Sequence, residues 1–376
     1  MAALFDLPNE LLNLILLSLL YHDRDLETLT SLSLASRQLR SIVEPVTKQY
    51  LCLQGHFGSR HPSESPDTRE AAFLDFFSDD ARAAAVRYLK LTGHVEITGI
   101  ELLTRLRNVA YLEISGAWAD QQDQPDCFHM VYTLVGRFPT LRTVYLKNCY
   151  QEDEDFDEFR DDLKDDPYEN MVPNAHVPSG IISTSLRHII CENVDPAFRK
   201  LWLSMPEIEV VEMHMCEFKP WENTSRNTGA YRMLLRDPVF CGKVKCFRIE
   251  NRLVDEDDEY EQEWRLYSTR DAVNIHSFFQ WRAQVLPCLQ ELILELPFHA
   301  KHIPDILAAL PELCPSLKVF KFELSPRGYN DFIYSGQKFP LPSSKEFQFL
   351  EEAFFYTLET EGSEESRWRL NESLKT

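Results

Sequence analysis

The chain has 376 residues, of which 44% are hydrophobic, with a formal net charge of -21 and a mean hydropathy of -0.31. Its length allows two or three domains, because a domain commonly has roughly 100–200 residues. The sequence has no run of about eighteen apolar residues and therefore predicts no membrane-spanning helix. The excess of acidic residues argues against binding to a nucleic-acid backbone, which needs clustered Lys and Arg.

The first fifty residues predict three short helices that are rich in leucine. The first helix is amphipathic, with its apolar positions at Leu11, Leu12, Ile15, Leu16 and Leu19. A second helix is predicted from Asp25 through Leu34, and a third from Arg37 to Glu44, where Pro45 would stop it. The three helices carry more leucine than they can bury among themselves. The surplus needs another surface, either the rest of the chain or a partner.

This segment resembles an F-box. The opening of the motif, Leu-Pro-x-Glu-Leu-Leu-x-x-Ile-Leu, is met at Leu7, Pro8, Glu10, Leu11, Leu12, Ile15 and Leu16. Its continuation is met at Leu29, Leu32, Leu34, Ser36, Arg37, Leu39 and Arg40. Many F-boxes carry a Trp at the place of Leu39, so one large contact is missing here.

The resemblance implies that residues 1–50 bind a Skp-type adaptor and, through it, a cullin scaffold. The adaptor-binding residues that it implies are Leu7, Pro8, Leu11, Leu12, Ile15, Leu16, Leu29, Leu32 and Leu39. Residues 51–80 contain several Gly, Pro and Ser residues and are predicted to be a linker.

From residue 86 onward the pattern apolar-x-x-apolar-x-apolar recurs eight times. Its last two positions lie two residues apart, which is the period of a strand with one buried face. The copies begin at Val86, Val109, Leu141, Leu186, Ile208, Val244, Leu289 and Leu317. Helix-compatible segments lie between the copies, among them Cys127–Arg137 and Pro304–Leu313. The predicted fold class is therefore α/β, with short parallel strands.

The repeated unit resembles an irregular leucine-rich repeat, of the divergent kind that follows F-boxes in fungal proteins. The steps between copies run from 22 to 45 residues, and the short steps match the usual repeat length of about 20–29 residues. The resemblance implies a leucine-rich-repeat-like solenoid over residues 81–330. An ordinary α/β domain with a parallel sheet is the alternative.

Two insertions between the predicted strands are strongly acidic. Residues 152–169 hold eleven acidic and two basic residues, and residues 255–263 hold seven acidic residues and no basic one. Such insertions either contribute to the binding of a target with a basic face or are solvated loops. Trp118 and Trp221 each follow a predicted strand and are candidate target-binding residues, unless they pack beneath their loops.

Residues 331–376 are predicted to form a C-terminal capping helix and a polar tail. The helix is placed at 345–358, where Phe347, Leu350, Phe354 and Leu358 have helical spacing. It would cover the open core of the last repeat.

The sequence contains no recognisable catalytic motif, phosphate-binding glycine loop or zinc-ligand spacing. We therefore predict no catalytic residue, no cofactor and no metal. The nine cysteines are scattered and include no Cys-x-x-Cys, which favours a reducing cytoplasm or nucleus.

The expected function is that of a substrate-recognition subunit of a cullin-type ubiquitin ligase, without bond chemistry of its own. The alternative is a leucine-rich-repeat scaffold or binding protein whose N-terminal helices are only a structural cap. The target protein is not identified by the sequence.

Overall fold

The computed structural model divides the chain into two compact units, Met1–Glu152 and Asp153–Thr376. Each unit contains parallel strands and helices, which confirms the predicted α/β class. The residues that the structure describes are 12, 15–16, 19, 26–35, 37–54, 75–93, 102–116, 127–149, 183–194, 205–214, 238–250, 284–298, 303–324, 352–357 and 368–369.

The first unit begins with the helical segment. Leu12, Ile15 and Leu16 are helical, and two further helices follow, α1 at Leu26–Ala35 and α2 at Arg37–Thr47. The prediction that Pro45 ends the third helix is wrong, because Pro45 lies inside α2. A proline so near the C-terminal end removes one backbone donor without interrupting many hydrogen bonds.

In the described part of the first unit four parallel strands follow, and two helices with defined ends lie in the connections between them. The strands are β1 Tyr50–Gln54, β2 Tyr88–Thr92, β3 Tyr111–Ser115 and β4 Thr143–Cys149, paired in that order. The helices are α3 Asp80–Ala85 and α4 Cys127–Arg137. Asp79 caps α3, since its carboxylate accepts hydrogen bonds from the backbone N–H groups of Ala81 and Arg82.

The second unit continues the same strand pattern. Its parallel strands pair in order as β5 His188–Val194, β6 Val210–His214, β7 Cys246–Glu250, β8 Glu291–Phe298, β9 Val319–Leu324 and β10 Glu352–Thr357. A short strand, β11 at Trp368–Arg369, pairs antiparallel with β10. Among the described residues of this unit the helices are α5 Pro238–Lys243 and α6 Ile303–Leu313.

The eight copies of the predicted pattern coincide with strands β2 to β9. All three apolar positions of every copy are buried, from Val86, Leu89 and Leu91 in the first to Leu317, Phe320 and Phe322 in the last. Equivalent positions are also partners in register, as Ile189, Val211 and Phe247 are. One face of each parallel ladder is therefore a continuous apolar core.

A repeated backbone hydrogen-bond pattern defines each step of the ladders. The carbonyl of Arg187 accepts two hydrogen bonds from the next turn, from the Glu209 N–H at 2.8 Å and the Val210 N–H at 3.0 Å. The same paired acceptance occurs at the carbonyls of Gln49, Arg87, Ala110, Glu209, Lys245 and Gln290. The structural unit thus repeats although the intervening segments differ in length.

Three residues at or near the ends of successive strands of the first unit have a left-handed backbone. Gly93 and Gly116 directly follow β2 and β3 and have φ angles of 92° and 66°. Asn148, with a φ angle of 50°, lies inside β4 just before the buried Cys149. Glycine and asparagine tolerate this conformation better than other residues. The chain therefore leaves β2 and β3 through a glycine, while β4 continues past Asn148.

The ladders extend beyond the predicted repeats at both ends. Residues 51–80 were predicted to be a linker, but the stretch begins inside β1, which pairs with β2. The sequence pattern misses β1 because its first position is Lys48 rather than an apolar residue.

The helix predicted at 345–358 is wrong over 352–357, where the chain forms β10. Phe and Tyr favour strands, and the aromatic run Phe354-Phe355-Tyr356 lies inside β10. Ala353 and Phe355 stand in register with the buried residues Phe320 and Phe322. Together with Leu350 they form a ninth copy of the repeat pattern.

Candidate functional site

The adaptor-binding residues implied by the F-box resemblance have different environments in the structure. Leu7, Pro8 and Leu11 lie outside the described residues. Leu32 is half-buried and Ile15 is 41% exposed. The buried members are Leu12, Leu16, Leu29 and Leu39.

Two of the buried leucines, Leu16 and Leu29, belong to a hydrophobic core made by the N-terminal helices themselves. This core consists of Leu16, Leu29, Val43 and Val46. Partly buried side chains pack around it, namely Leu19, Leu32, Ile42 and Tyr50. A partner could contact Leu16 or Leu29 directly only after the helices separate. Their role in the closed helical segment is to hold the helices together.

Leu34 is the most exposed large apolar side chain among the described residues, at 70%. It lies on α1 five residues after the buried Leu29. At 100° per residue this places it about 140° around the helix from Leu29. Leu34 and Ile15 are therefore apolar side chains that the helical core leaves in solvent. The predicted site omitted Leu34, although its spacing from Leu29 and Leu32 indicates that it lies on a different side of the helix.

Leu39, which stands at the place of the Trp found in many F-boxes, is buried on α2. In this chain the residue at that place contributes to internal packing. The presence of Leu39 in place of the usual Trp therefore affects the packing of the helices as well as any contact with a partner.

In the second unit a network of charged side chains lies on the face of the sheet opposite the apolar core, which we call the second face. Glu212 on β6 is its centre and is 16% exposed. Its carboxylate lies 2.8 Å from Nε2 of His188, 3.3 Å from Nε2 of His214 and 3.4 Å from a terminal nitrogen of Arg248. Arg248 also pairs with Glu291 on β8. The network therefore joins strands β5 to β8.

These contacts change the protonation equilibria of the two central groups. Burial alone would raise the pKa of Glu212, but the hydrogen bonds from His188 and His214 and the charge of Arg248 hold it well below its usual range. Burial similarly opposes the charged form of Arg248, and its pairing with Glu291 and Glu212 raises the pKa above the ordinary value. Both groups are therefore ionised at neutral pH.

The middle of the corresponding face of the first unit is buried. The rings of Tyr50 and Tyr88 have centroids 4.8 Å apart, and Tyr88 stacks on Tyr111 at 4.4 Å. Glu113 is only 1% exposed. Its carboxylate accepts a hydrogen bond from the Tyr88 hydroxyl and forms an ion pair with the Nζ of Lys90 at 2.7 Å. A buried carboxylate is tolerated because it is paired and hydrogen-bonded.

Within the described ranges, no group of three or more His, Cys, Asp or Glu could hold a metal ion. His188 and Cys246 are both register partners of Val210, on its two sides, so they lie two strands apart. At the usual strand spacing their backbones are about 10 Å apart. This is too far for a thiol and its general base. None of the helices in the part that the structure describes is long and apolar enough to cross a membrane.

Trp118 and Trp221, the candidate target-binding residues, lie outside the described residues, as do both acidic insertions. No known protein-family model matches the chain, and the search of characterised proteins finds no relative.

Proposed function

We propose that the chain is a substrate-recognition subunit of a cullin-type ubiquitin ligase. The N-terminal helices would bind a Skp-type adaptor, and the repeat region would bind a target protein. The observation that carries this proposal is the exposure of Leu34 and Ile15 on helices whose other described leucines are buried or half-buried. A segment that already has its own core keeps these apolar side chains in water, at positions that belong to the F-box-like motif.

Burial of the two exposed side chains would contribute measurably to the affinity of such a complex. Full burial of a leucine or isoleucine side chain against a partner contributes about 1.5–3 kcal/mol. Two such side chains alter affinity by about 100-fold or more. The residues of the motif outside the described ranges, Leu7, Pro8 and Leu11, would extend the same interface.

The second part of the proposal is that the repeat region is a leucine-rich-repeat-like solenoid that holds a target. Its support is the repeated hydrogen-bond step and the stacked apolar core. The partly exposed charged face around Glu212 and Arg248 is a surface to which a target could bind. The chain would act by proximity, since holding a target near the ligase raises its effective concentration. This role would be performed in the cytoplasm or nucleus.

A second function has a specific observation in its favour. Tyr50 is the first residue of β1 and also packs against the helical core. The helices therefore cover the start of the ladder, as the terminal cap of a scaffold protein would. In that case Leu34 and Ile15 would have no partner, and the protein would bind its ligands without an adaptor.

The two functions are separated by substituting the exposed residues rather than the core. The double variant Ile15→Asp with Leu34→Asp should lose capture by a purified Skp-type adaptor and keep the melting temperature of the parent chain. Val285→Asp is the matched control, because Val285 is 51% exposed and lies far along the chain. Leu29→Asp should instead unfold the helices, since a charge would be placed in their core.

Capture of the double variant at the parent level would contradict the adaptor proposal and favour the scaffold. A loss of capture in the Val285→Asp control would contradict it as well, because the effect would then not be specific to the N-terminal helices.

A further inference from the structure

The connection between the N-terminal helices and the sheet is short and hydrogen-bonded. Helix α2 ends at Thr47 and strand β1 begins at Tyr50. Between them the backbone N–H groups of Lys48 and Gln49 donate to Glu44 and Val46 at 3.1 and 3.0 Å. The segment rich in Gly and Pro, which the sequence suggested as the linker, follows β1 instead of preceding it.

Gln49 also fixes this connection to the next strand. Its carbonyl accepts hydrogen bonds from the N–H groups of Arg87 and Tyr88 at 2.8 and 2.9 Å. These bonds are the first instance of the paired acceptance that repeats along the ladders. The helices therefore enter the sheet through a backbone that is already part of the repeat.

A row of tyrosine rings joins the helical core to the sheet. The Tyr50 ring packs against the core formed by Leu16, Leu29, Val43 and Val46. On its other side it meets the Tyr88 ring at 4.8 Å with an interplanar angle of 33°, and Tyr88 stacks on Tyr111 at 11°. Because Tyr50, Tyr88 and Tyr111 are partners in register on three adjacent strands, the stack follows the ladder.

The middle ring of this row is held by a buried carboxylate. The Tyr88 hydroxyl donates to Glu113, whose carboxylate is also paired with Lys90 on β2. Tyr88 is fully buried, so leaving this hydroxyl without an acceptor would be costly. The ring therefore has one position, and Tyr50 stacks against a fixed surface.

We propose that Tyr50, Tyr88 and Tyr111 form a rigid joint that holds the N-terminal helices in one orientation on strands β1 to β3. Tyr50 is the positioning residue of this joint, because it touches both the helical core and the sheet. Whatever binds Leu34 and Ile15 would then orient the sheet of the first unit as well. The inference holds whether the helices bind an adaptor or only cap the ladder, so its test is independent of the proposed function.

The joint can be tested by measuring a distance distribution in the full chain. Spin labels carried by unnatural amino acids at Ala35 and Arg142 report on the helices and the sheet, and both residues are exposed. The parent chain should give a single narrow distribution. Tyr50→Ala should broaden it at least twofold, while Tyr50→Phe, which keeps the ring, should leave it narrow.

A broad distribution in the parent chain would overturn the proposal whatever the variants do. A Tyr50→Ala distribution as narrow as that of the parent would overturn it too. If Tyr50→Ala does not fold, Tyr50→Leu preserves apolar contact with the helical core but removes the ring stack, and the same broadening is expected. Since no adaptor is present in this measurement, its failure would leave the proposed function untouched.

Discussion

The two units build the same ladder but use its second face differently. In the first unit the middle of this face is buried at Tyr88, Tyr111, Glu113 and Tyr145. In the second unit Glu212, His188 and Arg248 are half-buried and form a charged network on it. The apolar core face is the same in both. The difference shows that one repeating backbone can carry buried aromatic rings on this face in one unit and a partly exposed charged network in the other.

The division agrees with the proposed roles of the two regions. The buried face of the first unit connects the N-terminal helices to the strands through Tyr50. The charged face of the second unit keeps its carboxylates and cations within reach of solvent. A partner could therefore exchange contacts with the second face without disturbing the core.

The largest expected effect tests the part that the two units share. Leu89→Ala in the first unit and Leu292→Ala in the second should each lower the free energy of unfolding by about 2–5 kcal/mol. Both side chains are buried on the core face, so the losses should be similar. Urea denaturation, with hydrogen exchange to assign the affected unit, measures them. A loss below about 1 kcal/mol at either position would contradict a common core.

The next effect tests the difference between the faces. Glu113→Ala leaves the buried Tyr88 hydroxyl without this acceptor and separates Lys90 from its partner, so it should cost about 3 kcal/mol. Glu212→Ala should cost less, about 1–2 kcal/mol, because Glu212 is more exposed than Glu113 and Arg248 keeps Glu291. Denaturation of the two variants under identical conditions measures both losses. Equal losses would mean that the faces do not differ in energetics.

A smaller effect should appear as a dependence on pH. The folded pKa of Glu212 is below its ordinary value of 4.5 because His188, His214 and Arg248 outweigh burial. Its ionised form therefore contributes stability above the ordinary value, and this contribution is lost as the pH falls toward the folded pKa. The stability advantage of the parent over Glu212→Gln at pH 6 should shrink at pH 3. Denaturation midpoints at both values check this, and an advantage that grows at pH 3 would contradict the pairing.

The strands could be predicted from the sequence because their buried positions appear as apolar residues at a fixed spacing. All eight predicted copies, such as Val109-x-x-Leu112-x-Ile114, became buried positions of parallel strands. The pattern failed at β1, where Lys48 occupies the first position. It also failed at β10, where the helical spacing of Phe347, Leu350, Phe354 and Leu358 overlaps a ninth copy of the repeat.

The polar network and the tyrosine joint could not be predicted in the same way. Glu212 meets His188 and Arg248 only because strands separated by 24 and 36 residues align in register. Segment lengths vary too much for sequence spacing to give this alignment. The exposure of Leu34 could have been predicted, since it depends only on helical geometry around Leu29 and Leu32.

The central claim is that the N-terminal helices present an apolar docking surface beside a closed core. Calorimetric titration of the full chain with a purified Skp-type adaptor tests it most directly. We predict one-to-one binding with a negative heat-capacity change, as expected for apolar burial. The Ile15→Asp and Leu34→Asp double variant should bind about 100-fold more weakly without a change in melting temperature. No binding by the parent chain, or unchanged affinity of the double variant, would contradict the claim.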